Sequence, residues 1–140
     1  MIPKYRAWDS IKKKFVEHFF ITDNGLICNM EKPTSGYNSP VPIEKSELIL
    51  MQSTGLHDKN GKDIFEGDIL KVANNDSSWF EVVKYDHDKA MFISKEVNLK
   101  YEVPETPLCD LFSPYLFKVE VIGNIWEDCD LIDGKKVNEN

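Results

Sequence analysis

The stretch WFEVVKYDHDKAMFIS, which runs from Trp79 to Ser94, decides the fold class of this chain. Residues 79–85 and 90–94 are rich in β-branched and aromatic side chains, which are typical of strands. Residues 86–89 between them favour a turn, because aspartate side chains accept hydrogen bonds from nearby backbone amides. The stretch therefore predicts two antiparallel strands joined by a tight turn.

Strand-like segments recur on both sides of this hairpin, each bounded by turn-forming residues. Asn24-Gly25 favours a two-residue type I′ turn, in which both central residues need a positive φ. Residues 58–63, with Asn60-Gly61, favour a second Asn-Gly turn. Apolar residues at helical spacing do not continue over several turns in any segment, and a single helical turn is favoured at residues 108–112. Further strands are expected at 4–8, 15–21, 26–30, 69–72, 97–103 and 115–125, the last one bulged at Gly123.

These patterns predict a mainly β fold with little helix. Short strands separated by frequent turns are typical of a small SH3-like barrel or of a strongly bent antiparallel sheet, with the N-terminal strands packed on it. Since the chain has 140 residues, we expect a single β-rich domain over 1–132. Alternatively, residues 1–30 form a separate N-terminal lobe. Residues 31–47, rich in proline and serine, predict a surface loop, and residues 133–140 predict a polar tail.

The net charge of −7 is unevenly distributed along the chain. Residues 1–70 hold 9 basic and 10 acidic side chains, whereas residues 71–140 hold 8 basic and 14 acidic ones. An acidic surface repels nucleic acid, and Arg6 is the only arginine that could grip a phosphate with two hydrogen bonds. The composition therefore disfavours nucleic-acid binding and favours a basic protein partner.

The sequence carries no recognisable metal or cofactor motif, so we expect neither a metal nor a cofactor. Cys28, Cys109 and Cys129 are odd in number and lack Cys-x-x-Cys spacing, which argues against a disulfide framework and a zinc ribbon. The histidines are scattered along the chain. The stretch 58–69 departs from the EF-hand pattern, both in the position of its glycine and at its last residue.

A cytoplasmic location is expected, with no membrane partner. The longest apolar run, Leu48 to Met51, is far too short to span a bilayer. Residues 1–4 are followed by alternating residues and not by the apolar stretch of a signal peptide. These features predict that the protein acts in the cytoplasm.

One candidate binding region is the acidic segment at the end of the last predicted strand. Glu127, Asp128 and Asp130 would form a docking surface for a basic protein, although a run of like charges is more often a solvated end of the chain. This segment favours a protein-binding module.

A second candidate region would bind single-stranded nucleic acid. Aromatic rings stack on bases while lysines hold the phosphates, and both residue types occur near the N-terminus. The residues proposed for this role are Tyr5, Trp8, Lys12, Lys13 and Lys14, with Trp79 as a further stacking platform.

Catalysis is the least favoured function class. His57, Asp58 and Glu66 are the only cluster that we would test, because a histidine beside a carboxylate can polarise a water molecule. The sequence offers no identifiable nucleophile or third member for this cluster. We therefore expect a protein without enzymatic activity.

The segments Lys4–Asp9, Met51–Ile69 and Val121–Glu127 follow each other in a distinctive order. The middle segment holds the pattern T-G-L-x-D-x-x-G-x-x-I-x-E-G-D. In this pattern and in the order of its segments, the chain resembles the YopX family of bacteriophage and prophage proteins over residues 4–127. Trp126 stands where that family often has tyrosine, which changes little.

The resemblance implies a small, β-rich, phage-encoded protein with no established activity and no catalytic residues. The resemblance therefore implies that the motif residues have structural roles. Thr54-Gly55 and Asn60-Gly61 would set turns, and the carboxylates beside Gly67 would accept hydrogen bonds from exposed backbone amides. The motif residues expected to be structural are Thr54, Gly55, Asp58, Asn60, Gly61, Glu66, Gly67, Asp68, Gly123 and Asn124.

The function that we expect is that of a phage or prophage accessory protein that binds a host or phage protein without catalysing a reaction. The alternative is a small-barrel module that is associated with nucleic acid in phage DNA or RNA metabolism. An exposed edge strand would also allow the chain to form a homo-oligomer.

Overall fold

The computed structural model of the chain describes residues 4–31, 39–97, 100–112 and 116–132. Over these residues the protein is mainly β, with a strongly curled half-barrel sheet and helical segments of at most five residues. The prediction of a mainly β fold is confirmed. Of the two architectures expected from the sequence, the protein has the strongly bent antiparallel sheet.

The described part of the chain contains twelve strands, most of them short. In chain order they are β1 (Tyr5–Asp9), β2 (Lys14–Val16), β3 (Phe19–Ile21), β4 (Leu26–Asn29), β5 (Val41–Pro42), β6 (Leu48–His57), β7 (Asp63–Phe65), β8 (Asp68–Ala73), β9 (Ser78–Asp86), β10 (Met91–Glu96), β11 (Thr106–Pro107) and β12 (Lys118–Asn124). Three 3₁₀ helices span Ile43–Lys45, Leu108–Phe112 and Cys129–Leu131. The second helix confirms the helical turn predicted at 108–112.

The chain divides into two compact units. The smaller unit runs from Ile2 to Gln52, and the larger unit runs from Ser53 to Asn140 and includes Met1. The single domain expected over 1–132, with its alternative lobe at 1–30, stays a prediction.

In the smaller unit, β1 pairs antiparallel with β2 and with the first half of β6. Strands β3, β4 and β5 form a separate antiparallel sheet. Because Val41 of β5 pairs with Ile27, part of the expected surface loop 31–47 is a strand; residues 32–38 of that loop lie outside the described residues. The core of this unit contains the buried side chains Ala7, Val16, Ile27 and Leu48.

Residues 15–21 form two strands and not the single strand predicted. Strand β2 ends at Val16 and β3 begins at Phe19. Between them, the backbone amides of Glu17 and His18 donate hydrogen bonds to the Glu31 carboxylate. A side chain that is distant in sequence thus binds the backbone at the two polar residues where the predicted strand is interrupted.

The turn at Asn24-Gly25 joins β3 and β4 as predicted, but its geometry differs from a type I′ turn. Ile21 pairs with Ile27, and the Thr22 amide donates to the Leu26 carbonyl, which leaves three residues in the loop. Of the two predicted turn residues, only Gly25 has a positive φ, of 85°. A three-residue hairpin loop with glycine in the left-handed position has this geometry.

The larger unit is built around a five-stranded antiparallel sheet in the order β11-β10-β9-β8-β12. The β9–β10 hairpin pairs Glu81 with Glu96 at one end and Asp86 with Met91 beside the turn, which confirms the prediction from residues 79–94. The register of β12 against β8 shifts between Val121 and Gly123, so the predicted bulge is also confirmed. The core of this unit contains the buried side chains Ile64, Leu70, Val72, Val83, Leu108, Leu111 and Val119.

The strand predicted at residues 97–103 is wrong for the residues that are described there. Residues 97 and 100–103 belong to no strand, and residues 98–99 lie outside the described part. The outer side of β10 pairs with β11 instead, at Ile93 and Ser94. Residue 115, where the last strand was expected to begin, and the expected tail 133–140 are not among the described residues either.

Candidate functional site

The two faces of the β9–β10 hairpin carry different side chains. Val83 packs in the core of the larger unit. Side chains alternate along a strand, and directly opposed residues share a face. Val82, which pairs with Lys95, and Lys84, which pairs with Ile93, therefore point away from that core. We call this side of the hairpin the outer face.

The outer face holds a groove of about 420 Å³ within the larger unit. Small-molecule and peptide side-chain sites commonly have volumes of about 300–1,000 Å³, so this groove is large enough to bind a ligand. Four charged residues stand along it, namely Lys84, Lys95, Glu96 and Glu102. Its apolar lining consists of Val82, Val97, Tyr101, Val103, Ile125 and Ile132.

Gly67 places one wall of the groove. Its amide donates to the carbonyl of Val83 on β9, and its own carbonyl accepts from the amide of Ile125, both at 2.9 Å. The backbone of Gly67 has a φ of 84°, a conformation that L-residues with a side chain rarely adopt. This glycine therefore fixes Ile125 beside the hairpin.

A turn after β12 completes the same wall. The Asn124 side-chain oxygen accepts from the amides of Trp126 and Glu127, and its side-chain nitrogen donates to the Glu127 carboxylate. The Asn124 amide donates in turn to the Asp128 carboxylate at 3.0 Å. A Cβ atom at Gly123 would collide with that carboxylate, so the turn requires glycine there. The chain is thereby led to Ile132, which also lines the groove.

The predicted acidic docking residues belong to this turn. The carboxylates of Glu127 and Asp128 accept the hydrogen bonds just described, which gives both a structural role. Asp130 lies in the 3₁₀ helix Cys129–Leu131 and is half-buried. In the sequence all three stand between Ile125 and Ile132, which line the groove, but none of the three is itself a lining residue.

The opposite wall is tied to β10 by an ion pair. The Lys95 ammonium lies 2.7 Å from the Glu102 carboxylate. The hydrogen bond between them lowers the pKa of Glu102 and raises the pKa of Lys95. This pair holds the segment with Tyr101 and Val103 against the hairpin. Tyr101 is 66% exposed, so a large ring stands at the edge of the groove in contact with water.

Not all of the residues predicted to stack on nucleic acid are accessible to a base. Trp8 is only 4% exposed, and its ring packs edge-to-face on Phe15 with the centroids 4.9 Å apart. Trp8 is therefore not accessible to a base. Tyr5 is exposed on β1, and the cluster of Lys12, Lys13 and Lys14 is exposed at the turn before and at the start of β2.

Trp79 also has a structural role, because its ring and its indole nitrogen both make contacts within the larger unit. It packs against the core of the larger unit, and its ring meets that of Phe117 edge-to-face. Its indole nitrogen donates to the Glu81 carboxylate at 2.8 Å, and the Ser94 hydroxyl donates to the other oxygen at 2.6 Å. Glu81 is only 6% exposed, so these bonds satisfy a buried carboxylate. This network was not predicted from the sequence. Its one local signal is that Trp79 and Glu81 stand two residues apart, on the same face of a strand.

Asp58 organises the middle family-like motif. One of its carboxylate oxygens accepts from the amides of Asn60 and Lys62, and the other accepts from the amide of Val121, each at 2.9 Å. Burial raises the pKa of Asp58, but the three backbone hydrogen bonds outweigh burial and hold the pKa below its ordinary value. The carboxylate joins the turn to β12 and covers part of that edge strand.

Two of the three residues considered for catalysis have structural contacts of their own. Asp58 has the structural contacts just described, and His57 Nε2 lies 2.7 Å from the Asp63 carboxylate. Glu66 is half-buried in the turn before β8. His57 and Asp58 thus have different partners.

The remaining motif residues have local structural roles. Gly55 has a φ of 82° and lies inside β6 at a shift of register, so Thr54-Gly55 does not form the predicted turn. Gly61 has a φ of 83° in the predicted turn. Asp68 accepts a hydrogen bond from the amide of Phe65 at 2.8 Å, which confirms the predicted capping of a backbone amide.

Among the described residues, one group could offer three ligand atoms to a metal ion. Atoms of Glu17, His18 and Glu31 lie within 4.8 Å of one another. The Glu31 carboxylate accepts hydrogen bonds from the amides of the other two residues. These bonds account for the position of Glu31 without a metal ion.

The groove could not be predicted from the sequence, because the residues that line the groove are far apart in the chain. Val82, Tyr101, Ile125 and Ile132 come together only through the long-range hydrogen bonds of Gly67 and the turn after β12. The only local signal is the pair of isoleucines that flank the acidic segment.

Fold and site together define a mainly β protein with an apolar groove on the outer face of a curled antiparallel sheet. A family model described as "YopX protein" matches residues 4–133, so the chain belongs to the YopX family. The resemblance seen in the sequence is confirmed. No curated protein sequence matches the chain. In the described part of the chain, no helix has the length and apolar character needed to cross a membrane.

Two solved structures have a similar fold. Protein EF1440 from Enterococcus faecalis is 26% identical to this chain, with a TM-score of 0.59 over 95% of this chain and 99% of EF1440. Protein yopX from Bacillus subtilis is 21% identical, with a TM-score of 0.58 over 92% of this chain and 97% of the other. The similarity to the Bacillus subtilis protein shows the fold alone.

Proposed function

We propose that this chain is a phage or prophage accessory protein that acts in the bacterial cytoplasm as a non-enzymatic protein-binding module. The observation that carries the proposal is the groove, whose apolar lining includes the exposed ring of Tyr101 and the half-buried side chains of Val103, Ile125 and Ile132. Apolar surface that stays accessible in a folded protein commonly marks an interaction site. The exposed ring of Tyr101 gives this groove a contact residue of the type enriched at protein interfaces.

The contacts of two of the three residues considered for catalysis support a non-enzymatic role. The Asp58 carboxylate accepts three backbone hydrogen bonds, and His57 is paired with Asp63. These contacts give both residues a structural explanation. The alternative of a nucleic-acid-associated module has less support, because burial removes Trp8 and internal contacts engage Trp79.

A pull-down tests the proposal. The tagged full chain, its Tyr101→Ser variant and its Tyr5→Ser variant would be incubated with lysate from infected host cells, with and without nuclease, and bound proteins identified by mass spectrometry. Both tyrosines are exposed, at 66% and 40%, so neither substitution should unfold the protein. Tyr5→Ser is the matched control outside the groove.

We expect one protein to be recovered equally with and without nuclease, to be lost with Tyr101→Ser and to be retained with Tyr5→Ser. Capture that disappears on nuclease treatment, or that depends on Tyr5, would favour the nucleic-acid alternative. Capture that is indifferent to Tyr101→Ser would remove the groove from the proposal.

A further inference from the structure

Resting on the proposed function, we propose that the groove binds a basic peptide segment of the partner protein. An apolar side chain of that segment enters the groove between Tyr101, Ile125 and Ile132, and flanking lysines or arginines meet the carboxylates along the edges. The proposal thus assigns the partner a chemistry, an apolar anchor within a positively charged segment.

The shape of the groove supports an apolar anchor. Its floor is Val82 on β9, its first wall carries Ile125 and Ile132, and its second wall carries Tyr101 and Val103. Interface energy is concentrated where an apolar or aromatic side chain fills a desolvated pocket, surrounded by polar contacts that exclude water. A volume of about 420 Å³ has room for one or two side chains, as such an anchor requires.

The charge of the larger unit supports a basic partner. From Ser53 to Asn140 the chain holds 10 lysines and 18 acidic residues, a net charge of −8, whereas Ile2 to Gln52 has a net charge of +1. The excess negative charge therefore belongs to the unit that contains the groove. A potential of this sign attracts a positively charged segment and repels an acidic one.

The groove itself is lined by charges of both signs, and further carboxylates occur close to its lining residues in the chain. Glu96 and Glu102 stand along it, and Glu105 is close enough to Lys95 to raise the pKa of that lysine. On the first wall, the segment between Ile125 and Ile132 holds the three carboxylates Glu127, Asp128 and Asp130 and no lysine. The charged residues that line the groove balance, with Lys84 and Lys95 against Glu96 and Glu102, and Lys100 stands beside Tyr101 in the sequence. The excess negative charge therefore comes from the rest of the larger unit.

Fluorescence polarisation with three synthetic probes tests the inference on the full chain. The first is a fluorescein-labelled peptide with a Leu-Phe pair between two pairs of lysines. The second replaces every lysine by glutamate, and the third replaces Leu-Phe by Ser-Ser. We expect saturable binding of the first probe below millimolar protein and at least tenfold weaker binding of the other two.

Variants locate the binding site. Tyr101→Ser should weaken binding of the first probe about tenfold, whereas Tyr5→Ser should leave it unchanged. Glu102→Gln should weaken binding about threefold, since a charge at the rim of an interface contributes modestly, whereas Glu44→Gln, at an exposed position of the smaller unit, should have no effect. Backbone amide NMR shifts induced by the probe should cluster at residues 100–103, 125 and 132.

Three outcomes would overturn the inference: no binding of the first probe up to about millimolar protein, equal binding of the acidic probe, or binding that Tyr101→Ser does not weaken. The pull-down keeps this failure distinct from failure of the proposed function. A partner that is lost with Tyr101→Ser but binds through an acidic or uncharged segment would refute the basic peptide and leave the protein-binding role intact.

Discussion

At the scale of single residues, the function of a side chain depends on what its polar atoms already bind. Asp58 illustrates this point, because a carboxylate in a histidine-containing motif is a natural candidate for catalysis. Its oxygens instead accept hydrogen bonds from three backbone amides, one of them on β12. Such a carboxylate holds two segments of chain together, and its substitution should affect stability before it affects binding.

Asp58→Asn should therefore lower the free energy of unfolding by about 2 kcal/mol, since an amide nitrogen cannot accept the bonds that a buried carboxylate oxygen accepts. Urea unfolding followed by tryptophan fluorescence would measure the change. Asp23→Asn, at an exposed turn position, is the matched control and should change stability by less than about 0.5 kcal/mol. Equal effects of the two substitutions would contradict the structural role of Asp58.

The same carboxylate predicts a pH dependence of stability. Its pKa in the folded protein lies below the ordinary value of 3.8, which applies to the unfolded chain. A carboxylate whose pKa is lower in the folded protein than in the unfolded chain stabilises the folded state at pH values above its pKa in the unfolded chain. This stabilisation is lost as the pH falls through the pKa of the folded protein. The difference in unfolding free energy between the wild type and Asp58→Asn should therefore stay constant from about pH 8 to about pH 5 and shrink below about pH 4. If the difference in unfolding free energy between the two proteins increased below about pH 4, the prediction would be wrong.

At the scale of elements, buried polar contacts join strands whose hydrophobic patterns alone would not fix their neighbours. Glu81 on β9 accepts from Ser94 on β10 and from Trp79 on its own strand. Ser94→Ala leaves a buried carboxylate without one of its donors, which should cost about 1–3 kcal/mol of stability. Thermal unfolding should reveal it, with Ser78→Ala at the exposed start of β9 as control. A cost no larger than that of Ser78→Ala would show that Ser94 is dispensable.

The turn after β12 gives a second prediction at this scale. Gly123→Ala places a methyl group against the Asp128 carboxylate and should destabilise the protein by about 1–3 kcal/mol, as crowding of a packed site does. Asp128→Ala alone removes the acceptor of the Asn124 amide and is also destabilising. In the double variant the collision is absent, so the two costs should not add. Chemical denaturation of all four proteins completes the cycle, and strict additivity would mean that the two residues do not interact.

Much of the fold could be predicted from the sequence because strand periodicity and turn residues are local signals. The β9–β10 hairpin, the bulge near Gly123 and the helical turn at Leu108–Phe112 all follow from such signals. Non-local contacts explain the errors. The Glu31 carboxylate binds the backbone in the middle of the strand predicted at 15–21, so two strands form there. The outer side of β10 pairs with β11 and not with residues 97–103, where a further strand was predicted.

At the scale of the whole molecule, the candidate site could not be predicted because no segment contains it. Val82, Tyr101 and Ile132 lie far apart in sequence but line the same groove. The backbone hydrogen bonds of Gly67 to Val83 and to Ile125 help to bring these segments together. Overall charge, in contrast, is additive along the chain. The sequence is therefore enough to propose a basic partner, whereas the place that we propose for an apolar anchor required the structure.

The separation of charge from shape yields a prediction about binding kinetics. Charges around an interface mainly accelerate association, and salt shortens their reach from about 10 Å at 0.1 M to about 3 Å at 1 M. The association rate of the lysine-flanked probe should therefore fall at least tenfold over this range, while its dissociation rate changes little. Stopped-flow fluorescence would measure both rates.

Tyr101→Ser distinguishes the contribution of the apolar anchor from that of charge. It removes contact area without changing charge, so it should accelerate dissociation of the probe and leave the salt dependence of association unchanged. Association that is independent of salt would mean that the net charge of −8 on the larger unit plays no part in recognition. A dissociation rate unaffected by Tyr101→Ser would place the anchor outside the groove.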